Sequence, residues 1–133
     1  VAEVKRPGKD VTIVATSSMV QVALKAADML GDMNISVEVV DPRTIKPLDE
    51  ETILSSVEKT HRAIVIDEGY QSYGTTAEIA AIIADKAFDW LDSPVKRLGA
   101  MDVPVPFSPA LEFETIPSEA KVVSVVKDML HLL

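Results

Sequence analysis

The side chains able to do chemistry are few and scattered. Asp67 and Glu68 stand side by side after an apolar run, Ser17 and Ser18 follow another, His61 and His131 lie far apart, and Arg43 sits in Asp41-Pro42-Arg43-Thr44. A carboxylate pair can share general acid and base work, but neighbours at a strand end point in different directions. Asp67 and Glu68 therefore also suit solvent or the cap of a following helix. Ser17 and Ser18 at a helix start could hold a small anion, although capping is their ordinary use. No Gly-x-Gly-x-x-Gly or Gly-x-x-x-x-Gly-Lys-Ser/Thr pattern lets a diphosphate approach the backbone. Nothing in the sequence sets either histidine beside a serine nucleophile, and no His-x-x-x-His or clustered carboxylate pattern predicts a zinc or calcium site. Arg43 offers a fork for a carboxylate or phosphate, or simply an ion pair that pins the loop after a strand. A phosphoacceptor domain would want an acidic pair after an early strand, where this chain has serines and Met19.

The elements that must position these residues can be read from periodicity. Val1 to Lys5 alternates, Pro7-Gly8-Lys9-Asp10 turns, and Val11 to Thr16 forms a second strand. Ser17 or Ser18 caps a helix carrying Val20, Ala23, Leu24, Ala27 and Leu30, which Gly31 is expected to stop. Ile35 to Val40 is β-branched, and Asp49 caps a short helix with Ile53, Leu54 and Val57. Ala63 to Ile66 is a short continuous apolar run, as in strands covered on both faces. Gly69 to Gly74 reads as a loop, with Thr75 or Thr76 capping a helix that turns Ile79, Ala80, Ile83, Ala84, Ala87 and Phe88 inward. Val95 to Gly99 makes a last strand, Met101 to Ile116 has no period, and Pro117-Ser118-Glu119 opens a helix with Val122, Val123, Val126, Met129 and Leu130 buried. Strands alternating with helices predict an α/β fold: a three-layer α/β/α sandwich around a mostly parallel sheet, with the first strand free to run antiparallel at an edge.

With 133 residues, 47% of them apolar, the chain suits a single domain spanning 1–133 with a full core. The absence of cysteine excludes disulfides and thiolate chemistry and suits the cytoplasm. No apolar run reaches the roughly 20 residues of a bilayer span, so no membrane association is expected. A net charge of −8 argues against nucleic acid and favours solubility or a basic protein partner. Opening at Val1, inside an apolar alternation, suggests a processed or excised piece of a longer subunit.

Three collinear stretches carry a resemblance: Gly8 to Val14, Val40 to Asp49 (Val-Asp-Pro-Arg-Thr-Ile-Lys-Pro-Leu-Asp), and Asp67-Glu68-Gly69-Tyr70. It continues through Gly74 to Ile79, Leu91 to Arg97 and Asp102 to Pro106. Together these resemble the C-terminal domain of the β subunit of thiamine-diphosphate-dependent 2-oxo acid dehydrogenases. The Asp-Glu-Gly-Tyr-Gln-Ser-Tyr-Gly and Pro-Phe-Ser-Pro-Ala-Leu-Glu wording is most similar to acetoin dehydrogenases.

The resemblance implies the transketolase C-terminal fold, a five-stranded mixed sheet with its first strand antiparallel. It implies that thiamine diphosphate and magnesium belong to other domains of the parent enzyme, so that no catalytic, cofactor-binding or metal-binding residue is carried onto this chain. The implied role is noncatalytic: assembly with an α subunit and a second β subunit in a heterotetramer, and docking to a lipoyl acyltransferase core. Asp92, in Leu91-Asp92-Ser93-Pro94, and Leu133, through a terminal carboxylate, occupy positions that meet a basic subunit-binding domain in related complexes. Phe107, in the stiff loop Val103-Pro104-Val105-Pro106-Phe107, is a candidate interface residue or an ordinary core residue. Two alternatives are a transketolase-type C-terminal domain without an acyltransferase partner, and a free-standing α/β module holding a small anion at Ser17 and Ser18.

Overall fold

A computed structural model describes residues 1–16, 19–43, 48–66, 73–99 and 118–131. Five strands, β1 (Glu3–Arg6), β2 (Val11–Ala15), β3 (Val37–Asp41), β4 (Ala63–Ile66) and β5 (Lys96–Leu98), form one sheet in the order β1-β3-β2-β4-β5. All neighbouring pairs are parallel except β1 with β3. The mixed sheet with an antiparallel first strand is therefore the observed architecture. The described helices are α1 (Met19–Gly31), α2 (Glu50–Thr60), α3 (Tyr73–Lys86) and α4 (Glu119–Met129), with a 3-10 turn at Phe88–Trp90. None of them is long and apolar enough to cross a membrane.

The two faces of the sheet follow strand alternation. Val11, Ile13 and Ala15 of β2, with Val37, Val39, Ile64, Ile66 and Leu98, pack beneath α1 and α4. Val14, Val40, Ala63 and Val65 face α2 and α3, where Ile53, Val57, Ile79, Ile83 and Ala87 are buried. α4 buries Val122, Val123, Val126 and Met129. Its cap is Ser118, whose Oγ accepts from Lys121 N, while Asp49 caps α2 by accepting from Thr52 N.

The sheet face under α2 also holds charge and hydroxyls. Register places Thr12 of β2 beside Glu38 of β3, and both are buried. Glu38 Oε1 accepts from Gly8 N at 3.0 Å and pairs with Lys59 Nζ at 2.5 Å. Thr12 Oγ1 lies 2.7 Å from both Ser56 Oγ and Thr60 Oγ1. Thr60 gives its proton to Arg62 O, so Thr12 is the donor between the two threonines. Burial pushes the Glu38 carboxyl up, but hydrogen bonds from Lys59 and Gly8, with the Lys59 charge, hold the group below its ordinary value. Gly8 is tied to this arrangement by space as well. A Cβ there would stand 2.2 Å from the Val37 carbonyl carbon, so only glycine lets the β1–β2 turn lie against β3.

Three expectations need correction. Gly31 ends α1 without a left-handed turn. The stop falls at Asn34 (φ 64), where Ile35 N reaches back to Leu30 O, because the chain makes one more turn before β3 and asparagine tolerates that conformation. Thr75 and Thr76 do not cap α3, which begins at Tyr73, and Thr76 is a buried residue inside it. Ala84 is exposed and Phe88 is 72% exposed. α3 stops at Lys86 and the chain tightens into the 3-10 turn, which changes the side-chain phase and swings Phe88 outward.

Candidate functional site

Ligands of doubly wound sheets sit beyond the carboxyl ends of the strands. Ser17, Ser18, Asp67 and Glu68 lie outside the described residues. At the end of β3, Asp41 Oδ1 accepts from Arg43 N at 2.8 Å, and Arg43 (φ 66) sets its guanidinium 3.5 Å from Glu3 Oε2. Arg43 thus ties the loop after β3 to β1, as the ion-pair account expects.

The opposite end of the sheet carries a tighter constellation. α2 closes at His61, whose left-handed backbone (φ 66) lets its N–H reach Val57 O and turns the chain into β4. The His61 ring stacks on Trp90 with centroids 6.3 Å apart. His61 Nδ1 lies 2.8 Å from Trp90 O, and since a carbonyl only accepts, the ring proton is on Nδ1. Asp92 N donates to His61 O at 2.8 Å, while the Asp92 carboxylate stands 3.8 Å from Arg62 Nη2. Arg62 in turn donates from Nη1 to Asp10 O at 3.2 Å. A backbone bond, a ring stack and a guanidinium therefore fix the segment Trp90 to Asp92 against the α2–β4 turn. The Asp92 side chain itself remains 60% exposed.

Beside this fixed segment lies a groove of about 840 Å³. Ala80, Ala81 and Ala84 of α3 form one wall, and Phe88 and Leu91 to Val95 the other. Asp89, Asp92 and Arg97 supply charge along it. Of the three site residues expected from the sequence, Asp92 stands at this groove; Phe107 and Leu133 lie outside the described residues. Sequence reasoning missed His61 and Arg62 as the parts that hold Asp92, and it missed the groove. The available signal was the run of small apolar residues on α3, Ala80, Ala81 and Ala84, more than one buried face needs.

Among the described residues no three His, Cys, Asp or Glu side chains converge on a cation position. Gly8 packs on the Val37 backbone and Gly31 faces the Arg6 guanidinium.

A five-stranded sheet with an antiparallel edge and helices on both faces defines a doubly wound α/β domain. Residues 1–122 match the transketolase C-terminal domain model, and the chain belongs to that family. It is 48% identical over 129 residues to the β subunit of acetoin:2,6-dichlorophenolindophenol oxidoreductase from Bacillus subtilis, covering 97% of this chain and 38% of that protein. It is 45% identical over 130 residues to the pyruvate dehydrogenase E1 component β subunit of Rickettsia felis, covering 98% of this chain and 40% of that protein. A split-gene transketolase solved as an inactive β4 tetramer superposes with a TM-score of 0.77 at 30% identity, over 99% of this chain and 43% of that one. The chain therefore spans well under half the length of these relatives.

Proposed function

We propose that this chain is the noncatalytic C-terminal domain of the β subunit of a thiamine-diphosphate-dependent acetoin or 2-oxo acid dehydrogenase. Its work is to assemble with an α subunit and a second β subunit and to dock the enzyme on a lipoyl acyltransferase core in the cytoplasm. The observation that carries this reading is the 48% identity to an acetoin oxidoreductase β subunit across 97% of the chain. In the parent, thiamine diphosphate held by other domains would supply the nucleophile for cleaving the carbon–carbon bond next to a carbonyl, and the lipoyl disulfide would accept two electrons with the acyl unit. This domain contributes contacts to that chemistry, with Asp92, Phe107 and Leu133 as partner-facing residues. Support for Asp92 comes from its placement: an exposed carboxylate on a fixed segment loses little freedom when it meets a cation.

The test is to express the full-length β subunit with its α subunit and assay acetoin-dependent reduction of dichlorophenolindophenol in the presence of thiamine diphosphate and magnesium. Acetoin turnover is expected, and pyruvate turnover instead would change the substrate within the same class. An assembled enzyme inactive on acetoin and on every 2-oxo acid tried would overturn the proposal.

A further inference from the structure

On the reading that Asp92 faces a basic docking partner, we propose that the adjoining groove takes a large apolar side chain of that same partner, so that docking uses an anchor beside the charge. The concavity is built from small residues on one wall, Ala80, Ala81 and Ala84, and from Phe88, Leu91 and Val95 on the other. Its volume, about 840 Å³, is in the range of sites that enclose a ligand of many atoms. Phe88 and Trp90 are large aromatics left 72% and 46% exposed. Aromatics beside a concave apolar wall are the composition of an interface core. Ser93 Oγ is buried without a hydrogen-bond partner among the described residues and lines the same groove. A buried hydroxyl left so is available to a polar group of the occupant.

Charge chooses the occupant. Asp89 and Asp92 line the groove and the exposed Asp85 follows Ala84. The nearby cations are engaged within the chain: Lys86 with Glu50 at 2.6 Å, Arg97 with Thr76 Oγ1 at 3.2 Å, and Arg62 with Asp10 O. A segment presenting one large apolar side chain flanked by lysine or arginine meets an apolar wall and an acidic rim together. A second copy of this chain, with its own net charge of −8, would set acid against acid.

The test uses the full-length β subunit assembled with its α subunit, and the acyltransferase core purified from the same cells as probe. Affinity is measured at about 0.05 M and about 0.5 M salt. Ala84→Trp projects into the groove from an exposed helical position, and Ala81→Leu does so more gently in case the tryptophan disturbs folding. Both are expected to weaken core binding, Ala84→Trp by about tenfold or more, and by a similar factor at either salt. Asp92→Ala should weaken it chiefly at low salt. If the groove variants bind normally while Asp92→Ala does not, the anchor is wrong and the docking reading stands. Loss of α–β or β–β assembly in the groove variants would assign the groove to a subunit of the enzyme and overturn the inference. Unchanged binding in every variant would remove both the anchor and Asp92 docking.

Discussion

Replacing Lys59 with methionine keeps the aliphatic stem and deletes the cation that pairs with a buried carboxylate. The Glu38 side chain is 2% exposed and that of Lys59 is 50% exposed. Glu38 would retain Gly8 N, but its charge would face a valine-rich sheet. Breaking a fully buried pair costs about 3–5 kcal/mol. Because half of Lys59 is open to solvent, water enters where the ammonium stood, and the expected loss is about 2 kcal/mol. For a chain of this size that corresponds to a fall in Tm of roughly 6–10 °C by circular dichroism. Adding Glu38→Gln to Lys59→Met leaves an oxygen for Gly8 N without a buried charge and should recover about 1 kcal/mol. Acid gives an independent check. In the wild-type protein the folded-state pKa of Glu38 lies below its ordinary value, so its contribution is complete above that ordinary value and is lost as pH falls through the lower folded value. In Lys59→Met burial acts without the ammonium against it, protonation relieves the variant, and the gap between the two proteins narrows as pH falls through the carboxyl range toward the lowered wild-type value. Urea titrations placing the variant within about 0.5 kcal/mol of the parent at neutral pH, or a gap independent of pH, would refute the reasoning.

Gly8→Ala puts a Cβ against the Val37 backbone and should cost at least about 3 kcal/mol, measured by denaturant unfolding. Asp49→Ala removes the acceptor for Thr52 N and for Ala2 N at 3.1 Å, with an expected loss of about 1 kcal/mol and amide exchange rising first at the start of α2. Ile83→Ala, in a fully buried position, should destabilise by about 2–5 kcal/mol, whereas Phe88→Ser at its 72% exposed position should stay within about 0.5 kcal/mol. Equal losses in that pair would contradict the outward placement of Phe88.

Periodicity was enough to find the strands and most helix faces, because Ala63 to Ile66 is a short continuous apolar run and Ile35 to Val40 is β-branched. Asp49 and Ser118 were legible as caps since each precedes a helical stripe with the residue type that accepts from an amide. The start of α3 was not legible. Gly74 suggests a loop, yet the helix begins at Tyr73, and packing overrides the local preference. Phe88 was misread because helical phase was extended past Lys86, where the chain changes to a tighter turn. Glu38 was passed over altogether, although one charge among four valine-rich strand positions has to find a partner if both faces are covered. Asp92 was marked by its motif, but the clamp from His61 and Arg62 joins residues some thirty apart in sequence, and no local pattern reports it.

The central claim, that this chain works as the noncatalytic domain of a thiamine-enzyme β subunit, is tested most directly by recovering the native polypeptide from its source cells with an antibody against this chain. The account predicts a β subunit longer than 133 residues, accompanied by an α subunit and a lipoyl acyltransferase in the same complex. A polypeptide of 133 residues recovered without any thiamine-enzyme subunit would contradict it.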